Sequence, residues 1–218
     1  MTKKFLITRP NHDLQTSYLH EFSKAVVKTT KATKDIHVTN LEGLRATRKN
    51  LEKSFIEENP GLAFLNGHGN RKMVAGHKDE VILDEENAKL TNGKIIYALS
   101  CDSLEELGPL AVKKGAKAYI GYKARFMIVR DPPRESAPQK DKNALPFRRA
   151  CSILINSLVF GNTVAKAIEL TKKEYMHSIR SYGTSEDDHY GDIPLIRFAL
   201  AWDLEFLDMC GDSNASFN

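Results

Sequence analysis

The sequence predicts an α/β fold: a three-layer α/β/α sandwich on a mainly parallel sheet of roughly six strands. Three observations predict it. Short apolar runs alternate along the chain with longer stretches whose apolar residues recur at helical spacing. Two of the runs, Gly61-Leu62-Ala63-Phe64-Leu65 and Lys94-Ile95-Ile96-Tyr97-Ala98-Leu99, are apolar almost throughout, as strands covered on both faces are. The 218 residues, 41% hydrophobic and 28% charged, suffice for one sizeable core, so a single domain over 1–218 is expected.

Phe5 to Thr8 is an apolar run stopped by Arg9-Pro10, the first strand. Leu14, Tyr18, Leu19, Phe22, Ala25 and Val26 then fall on one face of a helix over 14–31. Ile36 and Val38 alternate with polar neighbours over 35–41, a second strand; Leu44, Leu51 and Phe55 punctuate a charged helix that ends at Asn59-Pro60. The two apolar runs supply the third and fourth strands, the first stopping at Asn66-Gly67-His68-Gly69-Asn70, the second at Ser100-Cys101-Asp102-Ser103. Ser103 and Glu106 stand at capping-box spacing ahead of Leu107, Leu110 and Ala111, so a helix should begin close behind Cys101 and end at Gly115. Ala118 to Tyr122 makes a fifth strand and 123–143 a proline-rich connection. Helices are expected over 145–160 and 163–181, and a last strand within 196–208. Right-handed crossovers between parallel strands then place helices on both faces of the sheet.

The composition argues against disorder, fibres and collagen. No stretch reaches the roughly 20 apolar residues of a membrane span, and the first apolar run is too short for a signal peptide, so a cytoplasmic protein is expected. Cys101, Cys151 and Cys210 are odd in number and far apart, with no CxxC pair. Neither a disulfide framework nor a metal site is expected, and no cofactor. The net charge of +4 hides a polarity: 113–149 holds 11 basic and 3 acidic residues (+8), whereas 186–212 holds 1 basic and 8 acidic (−7). The basic run contains Pro132, Pro133, Pro138 and Pro146 and few aromatic residues, which makes it a solvated loop rather than a nucleic-acid footprint. The glycine loops that cradle nucleotide phosphates are absent.

In open α/β sheets, loops and helix N-termini converge at the carboxyl ends of the strands. Two such ends carry reactive side chains. His68 stands between Gly67 and Gly69, which let the backbone turn sharply and approach a ligand. Cys101 precedes the expected helix, whose positive end would favour a thiolate against the opposition of Asp102, Glu105 and Glu106. If their strands are neighbours, the two side chains share one rim, the layout that a nucleophilic thiol and its base require. An imidazole can take the thiol proton and return it to a leaving amine near neutral pH. The backbone N–H groups of Gly69 and Cys101 would then bind the oxyanion of a tetrahedral intermediate. No sequence feature singles out an acidic third member. His77 and Asp102 are candidates for the rim. Each residue taken singly has a plainer reading: a buried cysteine is commonly an apolar filler, the reading adopted for Cys151 and Cys210, and a histidine between glycines is often a turn residue. It is the pair, at two strand ends, that points to chemistry.

Asn66-Gly67-His68-Gly69 at one strand end, Ile95 to Cys101 about 33 residues later, and LAVKKGAKAYIGY over 110–122 together resemble the caspase-like cysteine peptidases. Within that group the sequence is most similar to the gingipain, clostripain, separase and CHAT-domain branch. The resemblance covers 61–122; elsewhere only the order of elements agrees. It implies a caspase-like fold and a His–Cys dyad, His68 as base and Cys101 as nucleophile, cleaving peptide bonds through a thioester. The chain departs from many relatives in carrying Asp102-Ser103-Leu104 where they have a glycine after the cysteine. The partners expected are a peptide or protein substrate and an activating protein, with no membrane and no nucleic acid; the oligomeric state stays open. In relatives the segment after the fifth strand borders the active site, which implies that 123–147 gates access to Cys101. A catalytically silent caspase-like module, binding a partner or relaying a signal, is the alternative.

Overall fold

The computed structural model describes residues 2–181 and 193–218. Of the acidic region over 186–212, residues 186–192 lie outside the described residues. The described elements run β1 (Lys3–Arg9), α1 (Leu14–Ala32), β2 (Ile36–Glu42), α2 (Arg48–Glu57), β3 (Leu62–Asn66), β4 (Gly69–Asn70), β5 (Met73–Ala75), β6 (Val81–Leu83), β7 (Ile95–Leu99), α3 (Leu107–Lys113), β8 (Ala118–Tyr122), α4 (Leu145–Val159), α5 (Val164–Ser181), α6 (Ile193–Phe206) and β9 (Leu207–Gly211).

Six strands form one sheet in the order β2-β1-β3-β7-β8-β9, parallel except for the β8–β9 pair. Every residue of β3, β7 and β8 is buried, the condition their continuous apolar sequences require. One face packs Phe5, Ile7, Phe64, Tyr97 and Tyr122 against α1, α4, α5 and α6. The other packs Leu6, Leu65, Ile96 and Tyr119 against α2, α3 and a small antiparallel sheet, β4-β5-β6. The fold is thus the three-layer α/β/α sandwich, mainly parallel, that the sequence predicts. At the strand ends Asn66 staples β3 to β1: its N–H donates to Thr8 Oγ1 at 3.0 Å and its Nδ2 to Thr8 O at 2.8 Å. At the far side of the sheet, Lys3 Nζ donates to Phe217 O at 3.1 Å, so the start of β1 meets the residues that follow β9.

Three expectations need correction, and one element is additional. Most of 196–208 is helix, not strand: Ile196 to Phe206 belong to α6, and only Leu207 onward pairs with β8. An apolar run does not distinguish a buried helix from a buried strand, and a helix of 14 residues is longer than strands usually are. No helix begins close behind Cys101. Residues 101–106 form turns, α3 starts at Leu107, and its N-cap Glu106 makes no side-chain cap bond. Ser103 is buried and accepts the Ser100 hydroxyl at 3.0 Å, a tie across the turn in place of a cap. The connection 123–143 is not simply solvated: Phe126, Val129, Asp141 and Asn143 are buried. The β4-β5-β6 sheet has no counterpart in the sequence reading, since strands of two or three residues carry no periodicity.

Candidate active site

β3 and β7 are neighbours, and their last registered pair is Asn66 with Leu99. His68 and Cys101 each lie two residues beyond that pair, so they occupy matching positions on the carboxyl edge of the sheet. Both glycines around His68 are sterically required. Gly67 has φ +153°, and a Cβ there would lie 1.9 Å from Ala75 O. A Cβ on Gly69 would lie 2.8 Å from Ser100 Cβ and 3.1 Å from Cys101 O, so only glycine lets this backbone press against the cysteine turn.

His68 is held by a residue the sequence did not single out. Its Nε2 is 2.6 Å from Asp13 Oδ2. Asp13 is the N-cap of α1, and its other oxygen accepts the Thr16 N–H and the Thr16 hydroxyl, both at 2.7 Å. Burial raises the Asp13 pKa, but the hydrogen bonds from Thr16 and His68 outweigh it and lower it to about 2. The carboxylate is therefore ionised near neutrality, and it fixes the His68 tautomer with the proton on Nε2, leaving Nδ1 as the basic nitrogen. A readable signal existed: Asp13 precedes an amphipathic run and stands just past the first strand, at the same edge as His68.

Cys101 is partly buried. Burial pushes its thiol pKa up, Asp102 and Asp203 add to the rise, and the Phe126 N–H and Arg125 act against it. The expected thiolate support from a helix end is missing, because α3 begins six residues later, behind turns. No hydrogen bond joins Cys101 to His68 among the described residues. Asp102 has φ +55°, the left-handed region where glycine is at ease and aspartate is tolerated, so it meets the backbone demand that a glycine would. Its N–H donates to Ala124 O at 3.1 Å. This tie and the Phe126 N–H at the thiol keep residues 124–126 beside Cys101, and α6 anchors the same segment: Trp202 Nε1 donates to Arg125 O at 2.9 Å, and the Met127 N–H to Asp203 Oδ1 at 2.9 Å. Asp203 is fully buried on α6, and desolvation raises its pKa well above the usual carboxylate range.

His77 lies beside His12. Its ring centroid is 5.3 Å from that of His12, which in turn is 6.2 Å from that of His68. Cys151 is buried in α4 and Cys210 sits on β9, away from His68; burial raises both thiols, Cys210 to about 11.

No family model matches the chain, and no curated protein matches it in sequence. Among solved structures it is similar to the complex of the Porphyromonas gingivalis RgpB pro- and mature domains, with a TM-score of 0.57 and 13% identity. The match covers all of this chain and 49% of that one, so the chain spans about half the length of its structural neighbour. The likeness is one of fold, and the fold is caspase-like. Among the described residues, no helix is long and apolar enough to cross a membrane.

Proposed function

We propose that the protein is a cysteine endopeptidase in which Cys101 is the nucleophile and His68 the general acid–base. The observation that carries this reading is the matching position of the two residues beyond the Asn66–Leu99 pair, with an ionised carboxylate fixing the tautomer of the imidazole. His68 Nδ1 takes the thiol proton as the sulfur attacks the peptide carbonyl carbon. The oxyanion receives the N–H groups of Gly69 and Cys101, since the Asp102 N–H is already bonded to Ala124. Collapse expels the amine, which leaves with the proton from His68, and a thioester remains. Water, deprotonated by the same nitrogen, attacks the thioester and frees the acid and the thiol. Asp13 stabilises the imidazolium formed in both halves. The covered, protonated thiol is the resting state, and a substrate or an activating protein has to displace residues 124–127.

Labelling with a panel of peptidyl acyloxymethyl ketones tests the proposal. Cys101→Ala should abolish labelling and hydrolysis, while Cys151→Ser and Cys210→Ser retain both. His68→Ala should slow acylation by about 10²- to 10⁴-fold, the usual worth of a positioned acid–base group. Retained labelling in Cys101→Ala ends the proposal. The covered thiol also favours a second reading, a silent module. A folded protein that no probe labels, even at alkaline pH, would support that reading instead.

A further inference from the structure

Four side chains converge on the rim from three separate loops. His12 and Asp13 come from the turn between β1 and α1, His68 from the end of β3, and Asp79 from the 3-10 turn over His77–Asp79. Their donor atoms all lie within 4.8 Å of one another. His12 Nε2 is 3.3 Å from Asp79 Oδ1 and 3.6 Å from Asp13 Oδ2; His68 Nε2 is 2.6 Å from Asp13 Oδ2 and 4.0 Å from Asp79 Oδ1. A tetrahedral ion with bonds of about 2.0–2.1 Å spaces its donors about 3.3–3.4 Å apart, so each of these gaps is within about 1 Å of the requirement. Two carboxylates and two neutral imidazoles cancel the charge of a dication. Their mixed nitrogen and oxygen donors suit zinc better than calcium or magnesium, which take oxygen alone.

A second observation points the same way. His12 Nδ1 is buried with no hydrogen-bond partner, and so are both ring nitrogens of His77 beside it. Buried polar atoms without partners are uncommon. A His12 that binds metal through Nε2 must carry its proton on Nδ1 and calls for an acceptor behind it, and the His77 ring, with two unpartnered nitrogens, is its neighbour at 5.3 Å between centroids.

We propose that His12, Asp13, His68 and Asp79 form a binding site for a divalent transition-metal ion of the zinc class, and that occupancy switches off His68 as a base. The switch, unlike the site, rests on the peptidase reading. An ion on Nε2 takes that lone pair, the proton moves to Nδ1, and the ring can no longer accept one from Cys101. The ligands have no motif spacing and meet only through the strand order, so the site is not legible in the sequence.

Two readouts separate the site from the switch. The first is binding: Co²⁺ absorption in the visible, with Zn²⁺ competition against a chromophoric chelator, on the full chain with its thiols kept reduced by a phosphine. One equivalent should bind. His12→Gln and Asp79→Asn should each weaken binding about tenfold or more, and Cys101→Ser should leave it unchanged. Circular dichroism of each variant checks that it is folded. Absence of binding to the wild-type chain, indifference to both ligand variants, or loss in Cys101→Ser overturns the site. The second readout is the ratio of Cys101 labelling rates without and with zinc, which should be large in the wild type and near one in Asp79→Asn. Binding with a wild-type ratio near one overturns the switch. A chain that never labels but still binds metal refutes the peptidase reading and leaves the site standing.

Discussion

One oxygen of the Asp13 carboxylate starts α1 by accepting from Thr16, while the other holds the His68 imidazole. The two duties can be pulled apart. Asparagine caps helices about as well as aspartate, so Asp13→Asn should keep most of the stability yet slow Cys101 acylation by about 10-fold or more, through loss of the charge that holds the imidazole. Asp13→Ala should lose the cap as well, at a cost of about 1 kcal/mol. Thermal denaturation alongside a labelling time course distinguishes the two. Because the folded pKa of Asp13 is near 2 and below its unfolded value of about 3.9, its contribution to stability is present above pH 4 and disappears as the pH falls toward 2. Asp13→Asn should flatten the decline of Tm in that window. At Cys101 burial acts in the opposite direction. Its alkylation by iodoacetamide should reach half-maximal rate at a higher pH than a free thiol does, and a midpoint no higher than a free thiol's would mean that burial does not disfavour the thiolate in solution.

The segment after β8 is held at several points that composition does not reveal. Basic charge and three prolines suggest solvent, whereas Phe126 and Val129 enter the core and Asp141 accepts from Tyr18, Asp131, Asn143 and Ala144. Periodicity has nothing to detect in an irregular chain whose order comes from single buried side chains. If 124–127 restrains access to Cys101, Trp202→Ala, which removes the bond to Arg125 O, should speed Cys101 labelling several-fold; an unchanged rate would make the segment a mere connector. α6 also supplies Asp203, whose raised pKa means that the folded chain binds a proton the unfolded chain releases. Its stabilising effect is full below about pH 4, the unfolded value, and is lost as the pH rises through the folded value. Asparagine keeps an oxygen for the Met127 N–H and has no charge to bury. Urea denaturation should therefore show Asp203→Asn gaining on the wild type as the pH rises from 5 to 8, and no gain would mean that the carboxyl is ionised.

Across the whole molecule, parallel strands send their carboxyl ends to one edge, and the order β1-β3-β7 places Asp13, His68 and Cys101 along it. The apolar runs and their terminal His and Cys were legible in the sequence, because each is a local pattern. The adjacency of β3 and β7 was a condition, not a result, and Asp13, 55 residues from His68, joins it only through the sheet order. At the other end of the order, β9 covers β8, all of whose residues are buried. Removing 207–218 should bare that hydrophobic strand and give aggregation in size-exclusion chromatography rather than a smaller folded monomer. The contact of Lys3 with Phe217 has a further consequence, for the order in which the chain can be written. The described ends meet, so a short glycine-serine linker could join them at little loop-closure cost, and the ring could be reopened at the exposed Phe160-Gly161 turn between α4 and α5. Such a circular permutant should still fold, with His68 and Cys101 where they were.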